Sequence, residues 1–218
     1  HHCFLLPFSK KFSRMSAEAF LEDILIRRLK VKGVVLGDDA RFGRGRKGDG
    51  ALVKKFSQRY GFYFKQIPEV LVQAKPVSSS RIRALLEHAK FEEARRCLGR
   101  PFGFFGRVVQ GEGRGTRIGF PTANLKLEIP LPIPFGVYAV RSRVVKANEE
   151  ASRWRLGAMN FGKRPTFHKK DSKTSCEVHI LDWHKPLNGK KIEVEIRARI
   201  RPEKTFPNAA SLIRQIQK

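Results

Sequence analysis

Nine consecutive residues, Ile192-Glu-Val-Glu-Ile-Arg-Ala-Arg-Ile200, put an apolar side chain at every second position and a charge at each one between. Successive side chains of a β-strand point to opposite faces, so only an extended chain collects Ile and Val on one side and leaves the charges to water. Similar short runs with the same period occur at 104–110, 136–145, 155–161 and 175–182, and Phe120–Leu125 adds an extended piece. About six short strands separated by turn residues predict a small antiparallel barrel. Asn208 then caps a terminal helix carrying Leu212, Ile213 and Ile216.

Before Gly99 the period is different. Ser16 predicts the cap of a helix from Ala17 to about Leu29, because Phe20, Leu21, Ile24, Leu25 and Leu29 recur at helical spacing and Glu18 sits near the positive end of the helix dipole. A buried strand follows at Gly33–Gly37, then a basic glycine-rich loop (Arg41–Gly50), a helix carrying Leu52, Val53, Phe56 and Tyr60, and a strand at Phe62–Ile67. Ser78, Ser79 and Ser80 precede a helix with Ile82, Leu85 and Leu86, and a last helix runs from Phe91 to Leu98. Strand, helix, strand in this order is the pattern of a parallel α/β sheet. The chain therefore divides into an α/β part, residues 1–98, and an all-β part, residues 99–218. Cys3–Phe8 is expected to be a strand entering a turn at Pro7, and a start at His1 inside such a segment implies that sequence preceding it is missing.

With 218 residues, 41% of them hydrophobic and 17 of them Phe, the chain can bury a core. Its 45 basic against 20 acidic residues give +25, with +11 on residues 1–98 and +14 on the rest. A charge spread this evenly decorates folded surfaces that meet phosphates or polyanions instead of forming a basic arm. The longest uncharged stretch, Ile129–Val140, is interrupted by Pro130, Pro132 and Pro134 and is too short for a membrane helix. Cys3, Cys97 and Cys176 are an odd, widely spaced set that suits a reducing cytoplasm.

Several motifs bear on chemistry. Gly43-Arg-Gly-Arg-Lys-Gly48 matches G-x-G-x-x-G, but it starts six residues beyond the strand end and carries Arg44, Arg46 and Lys47, so a basic loop touching phosphate fits better than a dinucleotide turn. Cys176 and His179 point to opposite faces of one strand, which disfavours a zinc site shared with His184. No Walker A sequence is present. The informative segment is Gly111-Glu-Gly-Arg-Gly-Thr-Arg-Ile-Gly119 running into Phe120-Pro-Thr-Ala-Asn-Leu125. Its glycines let backbone amides approach phosphate oxygens, and Arg114 and Arg117 supply charge. Thr122 and Asn124, two apart in an extended piece, present oxygens on one face, as magnesium binding needs and as an ordinary strand-edge turn would also have. Glu177 is either a surface carboxylate or, if its face borders a nucleotide pocket, a proton acceptor for a substrate hydroxyl.

Phe120-Pro-Thr-Ala-Asn-Leu125, preceded by Gly106-Arg-Val-Val109 and the glycine loop, resembles the signature of riboflavin kinases, in particular the kinase half of bacterial bifunctional riboflavin kinase/FAD synthetases. Counterparts of Gly136–Val140, Asn160–Phe167, Cys176–Asp182 and Arg201–Phe206 follow in the family's order. Upstream, Gly37–Asp49 and Val77–Arg83 resemble later motifs of the FMN adenylyltransferase half. The resemblance implies a partial Rossmann-like nucleotidyltransferase domain followed by a six-stranded Greek-key barrel. It implies that Thr122 and Asn124 hold magnesium and the ATP phosphates, that Glu177 is the catalytic base on the ribityl hydroxyl of riboflavin, and that Gly111, Gly113, Arg114, Gly115, Gly119 and Pro121 cover ATP. Arg201 lies where the family closes over flavin. Ser78, Ser79, Ser80, Arg81 and Arg83 match a phosphate site of the adenylyltransferase.

The expected activity is therefore phosphorylation of riboflavin to FMN by ATP. The family's first adenylyltransferase motif, His-x-Gly-His, has no counterpart here, so this chain is expected to make little FAD. A rival reading, a non-enzymatic basic barrel binding nucleic acid, follows from the charge and the strand count. Phe at apolar-looking strand positions argues against it, since stacking platforms need exposed aromatics among the basic groups.

Overall fold

Ser16 accepts a hydrogen bond from the Ala19 amide at 3.1 Å and starts a helix over Ala17–Ala19 that continues as a wider π-helix over Phe20–Arg28. The computed structural model describes residues 3–111, 113–145, 151–163 and 174–216. They fall into two units divided at Val77/Ser78.

In the first unit, α1 (Lys10–Ser13) precedes α2 (Ala17–Ala19) and its π-helical extension. The expected helix is present to the expected length, but its winding is not that of an α-helix: the Leu29 amide reaches back five residues to the Ile24 carbonyl. Leu21 and Leu25, four apart, still meet the core under this winding, so apolar spacing alone does not distinguish the two helices. Cys3–Ser9 forms no strand, against expectation; Leu5 is 91% exposed, and an extended piece becomes a strand only where a ladder partner takes its backbone groups. β1 (Gly33–Gly37), α3 (Gly50–Tyr60) and β2 (Tyr63–Ile67) form the expected strand–helix–strand unit, with β1 parallel to β2 and Gly33 opposite Tyr63, but β1 is not the buried strand expected: none of its residues is fully buried and Val35 is exposed. Asp49 caps α3 by accepting from the Leu52 amide at 2.9 Å. Leu21, Val53, Phe56 and Phe62 make the core. The Gly43–Gly48 loop folds back on itself through a Phe42–Gly48 bridge, and α3 opens only after it. A short hairpin, β3 (Leu71–Val72) and β4 (Lys75–Pro76), was not signalled by periodicity, since two-residue strands show none.

In the second unit, Ser78 caps α4 (Ser79–Glu87), and α5 (Phe91–Leu98) follows. Leu86, Phe91 and Ala94 belong to the barrel's core cluster, and the Phe91 ring stands edge-on to Tyr138 at 5.8 Å. The helical pair that the sequence pattern groups with residues 1–98 thus packs in the second unit. β5 (Gly103–Val109), α6 (Arg114–Arg117), β6 (Ala123–Leu127), β7 (Gly136–Val145), β8 (Arg155–Lys163), β9 (Thr174–Ile180), β10 (Lys191–Pro202) and α7 (Ala209–Ile216) complete it. The six strands close antiparallel in the order β10-β5-β6-β9-β8-β7. Because β6 pairs with β9 and not with its successor, this is the Greek-key barrel that the resemblance implied. Asn208 caps α7 through the Ser211 amide.

Ile192, Val194 and Ile196 fill the barrel interior, each contributing on the order of 1.5–3 kcal/mol of apolar burial. The alternation then fails. Register shifts between Ile196 and Ala198 and between Arg199 and Arg201 turn Ile200 outward, where it is 58% exposed. A bulge inserts a residue and flips every side chain beyond it, an event the sequence period does not announce.

Candidate active site

One register row of the barrel carries three of the polar candidates, Asn124, Glu177 and Arg201. Val109 of β5 lies opposite Asn124 of β6, Asn124 opposite Glu177 of β9, and Glu177 opposite Asn160 of β8. Asn160 lies opposite Val137 of β7, and Val137 opposite Arg201 of β10. Directly opposed residues share a face, and their neighbours Cys176 and Val178 are buried inside, so the row is on the outer wall. At the usual spacing of about 4.8 Å between strands, Arg201 is roughly 14 Å from Glu177 along the wall.

Glu177 is half-buried and held by hydroxyls on both oxygens: Thr122 Oγ1 donates to Oε2 at 3.4 Å and Ser175 Oγ to Oε1 at 3.2 Å. Thr122 is a loop residue just before β6, 55 residues away in sequence. A carboxylate with its acceptor orbitals aimed by neighbouring hydroxyls is set to receive one more proton donor.

The glycine loop meets this pair directly. A β-carbon at Gly111 would overlap the Asn124 side-chain amide, and one at Gly115 would overlap the Phe120 carbonyl and lie 3.0 Å from Thr122 Oγ1. Gly113 and Gly119 bracket α6 with φ of +69° and +86°, values that L side chains rarely adopt. The Arg114 main chain lies in α6; its side chain is outside the described residues. Gly111, Gly113, Pro121, Thr122 and Asn124 line a cavity of about 710 Å³. The lining continues with the loop after β9, Trp183–Asn188, and with Val108, Val178 and Ile180. That loop carries none of the sequence-predicted site residues; the Trp183 indole donates to the Lys185 carbonyl at 2.6 Å, and the Arg155 guanidinium lies over its ring. Glu177 borders the cavity through Thr122 and does not line it.

The remaining candidates are at the far end of that row or off it. The Arg201 guanidinium stacks over Phe206, 5.4 Å from the ring centre, and Nη1 donates to the Pro202 carbonyl. Ser78 Oγ accepts from the Arg81 amide, which uses it as a helix cap; Ser79, Ser80 and Arg83 are exposed and Arg81 is half-buried on the first turns of α4. Cys176 is inside the barrel, where burial first and the Glu177 carboxylate second push its thiol up to about 12. His179 is outside, hydrogen-bonded to Pro121, so the two do not converge. Residues 164–167 of the Asn160–Phe167 motif lie outside the described residues.

Two positions beside Glu177 were not among the predicted site residues. Ser175 could be read two residues upstream on the same face. Asn160 could not, because its place depends on the β8–β9 register.

A riboflavin kinase family model matches residues 98–218, which includes the barrel and the whole of this site. The chain belongs to the riboflavin kinase family. An FAD synthetase family model matches residues 1–81 of this riboflavin kinase relative. The bifunctional riboflavin kinase/FMN adenylyltransferase of Buchnera aphidicola subsp. Schizaphis graminum is 37% identical over 98% of the chain and 67% of its own length. Those of Haemophilus influenzae and Escherichia coli K12 are 36% and 37% identical, over 66% and 64% of their lengths. The chain thus spans about two thirds of these relatives. A crystal structure titled as a macrolide-efflux protein from Streptococcus pneumoniae superposes with a TM-score of 0.80 at 29% identity, covering 96% of this chain and 65% of that one. Among the described residues no helix is long and apolar enough to cross a membrane.

Proposed function

We propose that residues 98–218 transfer the γ-phosphoryl group of ATP to the terminal ribityl hydroxyl of riboflavin, giving FMN and ADP. The observation that carries this reading is the Thr122–Glu177 hydrogen bond at the edge of the glycine-lined cavity, which puts a proton acceptor beside a place for phosphates. The triphosphate lies under the backbone amides of Gly111–Gly119, and the base lies against the apolar side of the cavity at Leu187, Val108 and Ile180. Thr122 Oγ1 and the Asn124 amide oxygen are hard donors, adjacent on the same wall, and fit magnesium, which neutralises charge on the phosphates when bound. Glu177 accepts the hydroxyl proton as the ribityl oxygen attacks γ-phosphorus and the bond from phosphorus to the β–γ bridging oxygen breaks. The flavin extends along the outer wall past Asn160 toward Arg201.

For the whole protein, the match over residues 1–81 supports adenylylation of FMN to FAD, with Ser78, Ser79, Ser80, Arg81 and Arg83 as an anion site where α4 begins. On this reading the boundary between the two catalytic modules stays near Gly99, with α4 and α5 as the connection. The cytoplasm is the compartment that suits free Cys3, Cys97 and Cys176. Incubating the chain with riboflavin, ATP and magnesium should yield FMN by chromatography. Absence of FMN, or binding to nucleic acid that falls steeply with salt and ignores riboflavin, overturns the reading.

A further inference from the structure

The β6–β9 ladder has only two residue pairs, Ala123 with Val178 and Asn124 with Glu177. One step further along, Thr122 would face His179 and Pro121 would face Ile180, but proline has no N–H to donate and the ladder stops. A side chain takes over at that point: His179 Nδ1 lies 2.7 Å from the Pro121 carbonyl oxygen. A carbonyl only accepts, so His179 carries a hydrogen on Nδ1. The same imidazole meets the Phe120 ring edge-on, with centroids 5.9 Å apart and planes at 77°. Phe120 in turn donates its amide to the Gly115 carbonyl at 2.8 Å, and Gly115 is packed so closely on Phe120 that no side chain fits between them.

These contacts form one continuous mechanical link from β9 to the glycine loop. We propose that His179 is a positioning residue for phosphoryl transfer: it fixes Phe120–Thr122, and through Gly115 the glycine loop, to the strand that carries Glu177. This rests on the kinase reading of the site. A second tie, among the described residues, is the 3.4 Å Thr122–Glu177 bond, which is long for two oxygens and joins the groups that must rearrange when substrate arrives. His179 touches neither reacting group. It lies two residues from Glu177 on the same face and holds the nucleotide side of the site in register with the acceptor side.

The test uses the 218-residue chain with His179→Leu and His179→Asn. In Asn the amide nitrogen hangs from Cγ as Nδ1 does in His, so it can reach the same carbonyl. His179→Leu should raise KM for magnesium-ATP by about five- to tenfold, the worth of one lost neutral hydrogen bond, and leave KM for riboflavin within about twofold. His179→Asn should recover most of the ATP term. Wild-type turnover tests the kinase reading and the ratio of the two KM effects tests the positioning role, so the two fail separately. An unchanged ATP KM in His179→Leu overturns the proposal, as does a parallel rise in both KM values or an Asn variant that folds yet behaves like Leu. If His179→Leu does not fold, His179→Ser gives the same comparison at this half-buried position. Failure of both to fold assigns His179 to stability and overturns the positioning role.

Discussion

The main chain of Gly111 lies directly against the side-chain amide of Asn124, leaving no room for a β-carbon between the glycine loop and the first polar residue of β6. Gly111→Ala should therefore displace Asn124 and weaken magnesium-dependent ATP binding. Thr122→Val and Asn124→Leu should each weaken it by about tenfold while the barrel stays folded, since each removes one oxygen donor from outside the barrel core. If the glycine acts through Asn124, Gly111→Ala combined with Asn124→Leu should be no worse than Asn124→Leu alone, because neighbours that share a partner are not additive. Calorimetric titration with ADP at varied magnesium checks this; full additivity would separate the glycine from the metal site.

Glu177→Gln keeps the shape and one acceptor oxygen for Thr122 or Ser175 but loses the ability to take a proton. Turnover should fall by roughly 10²- to 10⁴-fold with nucleotide affinity retained. Single-turnover formation of FMN is the measurement, and near-normal rates would remove Glu177 from the chemistry.

What could be read from the sequence was whatever has a local period. Five of the barrel strands, β1, β2 and the caps at Ser16 and Asn208 lie where spacing and capping chemistry put them, whereas the extended piece expected at Phe120–Leu125 becomes a strand only from Ala123 and runs to Leu127. The bulges that turn Ile200 outward have no local signature, and neither does the π winding after Ala19. Asn124 and Glu177 were legible as polar strand residues and Thr122 as a polar residue beside them, in the loop before β6. Their meeting was not, because it depends on β6 pairing with β9 across an intervening pair of strands. Asn160 is invisible because its place beside Glu177 depends on the β8–β9 register, and the Trp183–Asn188 lining of the cavity because it meets the glycine loop only in the folded barrel.

Cys176 makes the interior of the barrel sensitive to alkali. Its thiol is buried and pushed up to about 12, above an ordinary value of 9.0, so the folded state holds a proton that the unfolded chain releases first. The folded pKa is the raised one. The contribution to stability is thus complete below about pH 9 and is lost progressively as pH rises toward about 12. Urea midpoints should fall over that window more steeply for the wild type than for Cys176→Ala, once the general cost of the smaller side chain is subtracted. In native protein at pH 8 a thiol reagent should label Cys3 well before Cys176, because the former is exposed and the latter is buried and neutral. Equal labelling rates would show that the barrel opens readily.

The loop after β10 closes on the outer wall through a contact that only glycine permits. A β-carbon at Gly162 would overlap the Glu203 carboxylate, so Glu203 rests on β8 next to the cross-strand partner of Ser175 and two residues from Asn160. Arg201 stacks on Phe206 in the same loop and shares the register row with Asn160. Gly162→Ala should push Glu203 off the wall and carry Arg201 and Phe206 with it. If the flavin ring lies between Asn160 and Arg201, riboflavin KM should rise by about five- to tenfold in Gly162→Ala and in Arg201→Ala, the worth of one ordering contact or cation–π stack in a partly desolvated site. ATP KM should stay within about twofold, because the nucleotide cavity is on the other side of Glu177 and contains neither residue. Quenching of riboflavin fluorescence without nucleotide isolates the flavin step. A rise in ATP KM with riboflavin binding unchanged would place Arg201 on the nucleotide side and the flavin elsewhere on the barrel.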